Sequence, residues 1–244
     1  MSIQRYCAKK KNAFMNRKDK TFILASLAAG AVLLLAIAFA KPGFYSGKNI
    51  SSILIQRSAV AIMAAGQIYV MVSGGIDLSI PSVMMLSGCI GALVMRQTNN
   101  ILLGILSIMA VAVLAGLFNG LSVAKLKINA FVATMITMLI ANGLSLKVTK
   151  SSSIPVPQEF TGLFGKYYGP IHANIAVMIV CLIVLQFVLT KTGFGRCIYA
   201  IGTNEKSAQA CGIKTDKVKI QVFLISGVLS GIAAIVLTAR IASS

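Results

Sequence analysis

A carboxylate at membrane depth is costly and marks either a partner or a water-filled passage. The segment Ser73-Gly74-Gly75-Ile76-Asp77-Leu78-Ser79 places one between two long apolar runs. Adjacent glycines reach backbone conformations closed to other residues and favour a break in a helix. Asp77 or Ser79 can cap the helix that follows, and Pro81 suits its first turn. Two readings stay open and are compatible: a capping group, or a broken helix lining a passage, since non-helical backbone at depth is tolerated beside protein or water. Gln67, Asn119, Asn129 and Asn142 put amides into other apolar runs. These either bond across helices or line a polar path. The glycines of Gly116-x-x-Asn119-Gly120, Gly143 and Gly227-x-x-x-Gly231 read as close helix packing.

Hydrolytic chemistry finds no support. The chain has five acids and one histidine, with no G-x-S-x-G and no H-E-x-x-H. Gly162-Leu163-Phe164-Gly165-Lys166 fails the spacing of a phosphate-binding loop. His172, alone just before an apolar run, reads as an interfacial residue rather than a metal ligand or proton relay. The expectation is a non-catalytic chain with no ATP-binding motif, no metal and no cofactor of its own.

The elements that must carry these residues are membrane helices. Of 244 residues 57% are hydrophobic and 11% charged, with mean hydropathy +0.86, against about 25% charged in a soluble domain. The net charge of +18 comes from basic residues lying between apolar runs, which indicates membrane topology and not a nucleic-acid partner. A span needs about 20 apolar residues. Seven stretches qualify: 22–40, 53–72, 80–95, 101–124, 129–146, 174–190 and 220–240. The fold class expected is an all-α polytopic membrane protein with a broken helix near 73–79. The first stretch ends in Ala38-Phe39-Ala40, like a signal-peptide cleavage site, but its length favours an uncleaved helix.

Orientation follows from Lys and Arg. With the N-terminus inside, the segments 1–21, 73–79, 125–128 and 191–219 hold fifteen of them and the outside loops six. That excess sets residues 1–21 as a basic cytoplasmic tail, 22–244 as the transmembrane domain, 147–173 as an outside loop and 191–219 as an inside one. Cys7, Cys197 and Cys211 then face the reducing cytoplasm, while Cys89 and Cys181 lie in the membrane, so a disulfide is not expected. Within 191–219, Thr203 or Asn204 can cap a short helix, Glu205 suits its first turn and Gly212 can end it. Such a helix either rests on lipid or docks a cytosolic partner.

Three runs together carry a resemblance: VSGGIDLSIPSVMMLSG (72–88), AKLKINAFVATMITMLIANGLS (124–145) and TGFGRCIYAIGTNEKSAQACGIKTDKVKI (192–220). They resemble the ribose-type permeases of bacterial ABC importers, a family that also serves xylose, arabinose, galactose and autoinducer-2. The resemblance implies a passive subunit of the inner membrane through which a ribose-like monosaccharide passes. It implies a second permease subunit, identical or not, an ATP-binding subunit that uses the ATP, and a periplasmic sugar-binding protein. Gly74, Gly75, Asp77, Leu78 and Ser79 would shape the pathway, joined by Gln67, Asn119, Asn129 and Asn142. Gly195, Arg196, Gly202, Asn204, Ala208 and Gly212 would form the ATPase-coupling element. Here Ile80-Pro81-Ser82 stands where relatives often have Val-Gly-Ser, which stiffens that turn. The family usually has about ten spans, so the chain is expected to be a truncated permease. A secondary, ion-coupled transporter and a non-functional permease fragment are the alternatives.

Overall fold

The computed structural model describes residues 21, 23, 25–26, 28–32, 35–36, 43–150, 152, 154–164, 167–168 and 171–242. The chain forms two compact units, 1–53 and 54–244. In the first, the described residues between 21 and 36 are helical, and the remainder of the expected span 22–40 lies outside the described residues. A turn follows in which Phe44 and Tyr45 meet edge to face at 5.1 Å. The Ser46 hydroxyl there accepts the Asn49 N–H and starts α1 (Gly47–Val72).

Beyond the break come α2 (Ile80–Thr98), α3 (Ile101–Ala124) and α4 (Ala130–Thr149). Next are a short α5 (Gln158–Phe164) and a hairpin of two two-residue strands, β1 (Tyr167–Tyr168) and β2 (Ile171–His172). Then follow α6 (Ala173–Lys191), α7 (Gly193–Thr203), α8 (Glu205–Ala210) and α9 (Thr215–Ala242). Six of these helices are long and apolar enough to cross a membrane: α1, α2, α3, α4, α6 and α9. This is an all-α polytopic membrane protein.

Two expectations change. The second span begins at Gly47, not 53, because the Ser46 cap carries the polar Lys48, Asn49, Ser51 and Ser52 into the helix. Residues 193–203, read as loop, are helical. The Thr192 hydroxyl oxygen accepts the Gly195 N–H at 3.2 Å, and Ile198 and Ile201 point into the core. His172, just ahead of the span α6, is buried, and its Nδ1 caps that helix by accepting the Asn174 N–H at 3.2 Å.

α9 is the centre of the second unit. Its apolar window is 61% buried, against 22% for α3 and for α6. Along α3 it packs through small residues: a Cβ on Gly227 would lie 2.5 Å from the Ala112 carbonyl oxygen, and one on Gly116 2.6 Å from that of Phe223. Such seams bring backbones close where apolar burial offers no drive between helices. Against α1 it packs Leu229, Ala233 and Val236 on Ala59 and Ile62. The outward faces of α3 and α6 present Leu102, Leu106, Leu114, Ile183 and Phe187, as lipid contact requires.

Candidate functional site

The break between α1 and α2 is made by two glycines and held by one carboxyl. Gly74 sits at φ +87°, in the left-handed region that other residues rarely enter. The chain then runs without regular structure to Ser79, the residue ahead of α2. Asp77 is 6% exposed and accepts three hydrogen bonds. Its Oδ1 takes the Ser79 N–H at 2.9 Å and the Ser79 hydroxyl at 2.6 Å, while its Oδ2 takes the Ser226 hydroxyl of α9 at 2.8 Å. Asp77 therefore closes a turn ahead of α2 and does not cap the helix itself. Ser79 makes no side-chain cap either.

The chain of bonds continues outward. Asn119 of α3 donates to Ser79 Oγ at 2.8 Å and accepts from the Thr137 hydroxyl of α4 at 2.6 Å. Nearby, Thr134 Oγ1 accepts the Leu78 N–H at 3.1 Å and lies 3.2 Å from the Ile76 carbonyl. Each donor in this line points toward Asp77. Four helices are thus tied to one side chain in a place where unmade polar bonds are expensive.

A cavity of about 700 Å³ opens beside the break. Ser73, Gly74 and Gly75 form one wall, Asn129 and Phe131 another, and Gly202, Asn204 and Glu205 a third. The third wall is the α7–α8 element. Asn204 caps α8 by accepting the Ser207 N–H at 3.0 Å, and Gly212 follows the helix at φ +83°. A Cβ on Gly195 would overlap the Leu189 carbonyl oxygen, and one on Gly202 the Val72 carbonyl oxygen. Glu205 pairs with Lys219 of α9 at 2.7 Å, and Lys127 of the α3–α4 turn pairs with Asp216 at 2.6 Å.

This chain matches the family described as branched-chain amino acid transport system, permease component, over residues 49–244. It is similar to the ribose import permease protein RbsC of Haemophilus influenzae, 34% identical over 241 residues that cover 96% of this chain and 75% of the relative. RbsC of Escherichia coli K12 is 35% identical, covering 90% of this chain and 70% of the relative. The L-arabinose transport system permease protein AraH of the same strain is 35% identical, covering 87% and 65%. This chain is a member of the ribose-type permease family. No solved structure matches the permease.

The residues singled out by sequence fall into separate places in the permease. Asp77, Ser79 and Asn119 meet in the buried network, whereas Gly74, Gly75 and Asn129 line the cavity. Asn129 is spent on capping α4, accepting the Phe131 N–H. Gln67 and Asn142 join neither group. Gln67 Oε1 is buried with no donor among the described residues, and the Asn142 carbonyl takes the Ser145 hydroxyl. In the coupling set, Arg196, Asn204 and Gly212 are exposed. Ala208 is not: it is 5% exposed and packs with Ile198, Ile201 and Val218. Its assignment as a docking contact is therefore corrected, because the packing of α8 on Ile198, Ile201 and Val218 turns Ala208 inward and leaves Lys206, Ser207, Gln209 and Ala210 outside. Ser226, Thr134 and Thr137 escaped the sequence reading. Their signal was hydroxyls at mid-span, Ser226 next to Gly227, at the depth of a carboxyl without a basic neighbour.

Proposed function

We propose that this permease is the membrane subunit of an ATP-driven importer that passes a ribose-like monosaccharide across the bacterial inner membrane. A separate ATP-binding subunit supplies the work, a periplasmic binding protein delivers the sugar, and a second permease subunit completes the pathway. Gly74, Gly75, Asn129 and the backbone of 73–79 shape its inner end. The α7–α8 element receives the ATPase through Lys206, Ser207, Gln209 and Arg196. The single observation that carries this reading is the packing of that element. Two short helices are fastened to α9 by the Glu205–Lys219 pair and stand against the helix break, with their polar face outward. The tying of Asp77 to Ser79 and Ser226 by three hydrogen bonds favours a structural carboxyl, whereas an ion-coupled transporter needs several ionisable groups along its path.

Reconstitution with an ATPase subunit and a binding protein of the ribose type tests it. Uptake of labelled ribose that requires all three components is the expected result; uptake driven by a proton or sodium gradient alone defeats it. The proposed orientation has its own check. An impermeant thiol reagent should label Ser152→Cys in intact cells, and Lys206→Cys only after lysis.

A further inference from the structure

The end of α7 presses on the end of α1, backbone against backbone. A Cβ on Gly202 would overlap the Val72 carbonyl oxygen and come within 3.5 Å of the Gly74 nitrogen, and a Cβ on Gly74 would lie 3.7 Å from the Gly202 Cα. A contact between main chains cannot be absorbed by a change of rotamer, and close-packed interiors pass displacement on instead of damping it. α7 is braced for such a push. Its start is seated at Gly195 against Leu189, and Ile198 and Ile201 pack in one cluster with Tyr69 and Val70 of α1. α8 continues from it through the Asn204 N–H, which donates to the Ala200 carbonyl at 3.1 Å. Beside the contact, lined by residues of both elements, lies the cavity of about 700 Å³, space into which residues 73–76 can be displaced.

We propose that Gly202 is a positioning residue of the transport cycle: displacement of the α7–α8 element reaches the 73–79 break through the Gly202–Val72 contact. The Glu205–Lys219 ion pair only holds the element in place. This rests on the reading of α7–α8 as the ATPase-docking element. Gly202 touches the break and is not among the docking residues proposed above, so its substitution should uncouple the machine without detaching it.

The test uses the transporter assembled from this permease, its ATPase and its binding protein in proteoliposomes. Three quantities are measured: co-purified ATPase, ATP hydrolysis stimulated by the binding protein, and sugar taken up per ATP. Gly202→Ala is expected to keep association and hydrolysis within about twofold and to lower uptake per ATP about tenfold or more. Gly212→Ala, strained but facing open space, is expected to leave uptake per ATP unchanged. Unchanged uptake per ATP in Gly202→Ala overturns the assignment, as does loss of the ATPase from that variant. If Gly202→Ala fails to insert, the wild-type sequence decides. Spin labels at Gln209 and Ile76 should shift together on vanadate trapping, and movement at Gln209 alone defeats the proposal. Lys206→Glu and Gln209→Trp separate this idea from its premise. If neither weakens ATPase binding the docking reading fails, whereas if they do and Gly202→Ala is silent, only the present inference fails.

Discussion

Asp77 and Gly202 stand at opposite ends of the same helix break and are held in opposite ways. Around Asp77, buried between helices, position is set by directional bonds from Ser79 and Ser226, with Asn119 and Thr137 behind them. Around Gly202, position is set by shape: a missing side chain, a carbonyl in its place, and ion pairs on the exposed rim. Where water is absent, an unmade hydrogen bond has no substitute, so a polar network fixes geometry firmly. Where water is present, polar bonds can be exchanged with solvent, and packing is what remains specific. A segment fixed at one end by bonds and touched at the other by packing is suited to bending at the touched end.

The first way to break this comparison is to remove the carboxyl. Asp77→Ala leaves the Ser79 and Ser226 donors without their acceptor, at about 1–3 kcal/mol for each buried group. Folded protein recovered in mild detergent should fall about fivefold or more, judged by size-exclusion chromatography. Asp77→Asn, which keeps one acceptor oxygen, should recover most of it. Equal yields from the alanine variant and the wild type would mean that the network does not hold the break.

A middle-sized effect is expected from Ala208→Trp. A large ring in the cluster of Ile198, Ile201 and Val218 overpacks it by about 1–3 kcal/mol. The α7–α8 segment should then be cut faster by protease, while the six spans stay inserted. Unchanged cleavage would return Ala208 to the outer surface.

The smallest effect sharpens the contrast. Glu205→Gln breaks the pair with Lys219 on a half-exposed rim, worth about 0–1 kcal/mol. Its cost in thermal unfolding should shrink in high salt, because exposed charges are screened. The cost of Ser226→Ala, in contrast, should not depend on salt. Equal salt dependence in the two variants would remove the distinction between the ends of the break.

How much of this could be read from sequence follows the same division. The spans were legible because the membrane imposes one length and one composition, and 101–124 coincides with α3. The break at Gly74-Gly75 and the cap at Asn204 were legible because each rests on local backbone chemistry. α7 was hidden by Gly193 and Gly195, which look like loop residues; at Gly195 the Leu189 carbonyl leaves no room for a side chain. The Asp77 network was half legible: Asn119 drew attention as an amide at depth, whereas Ser226 did not, since serine is small enough to pass for packing. The inward face of Ala208 was illegible, because a single turn of helix has no periodicity to tell one side from the other.

The bond between Ser226 and Asp77 also has a consequence for biogenesis. The two residues are 149 positions apart. At a synthesis rate of about 5–20 residues per second, Asp77 enters the membrane roughly 7–30 s before Ser226 is made. Throughout that interval the carboxyl lacks one of its three donors, and α9, on which α1, α2 and α3 pack, does not yet exist. The nascent break must therefore wait beside water or the insertion machinery, and it settles only when α9 arrives. Settling of the 73–79 break is thus timed by the arrival of α9.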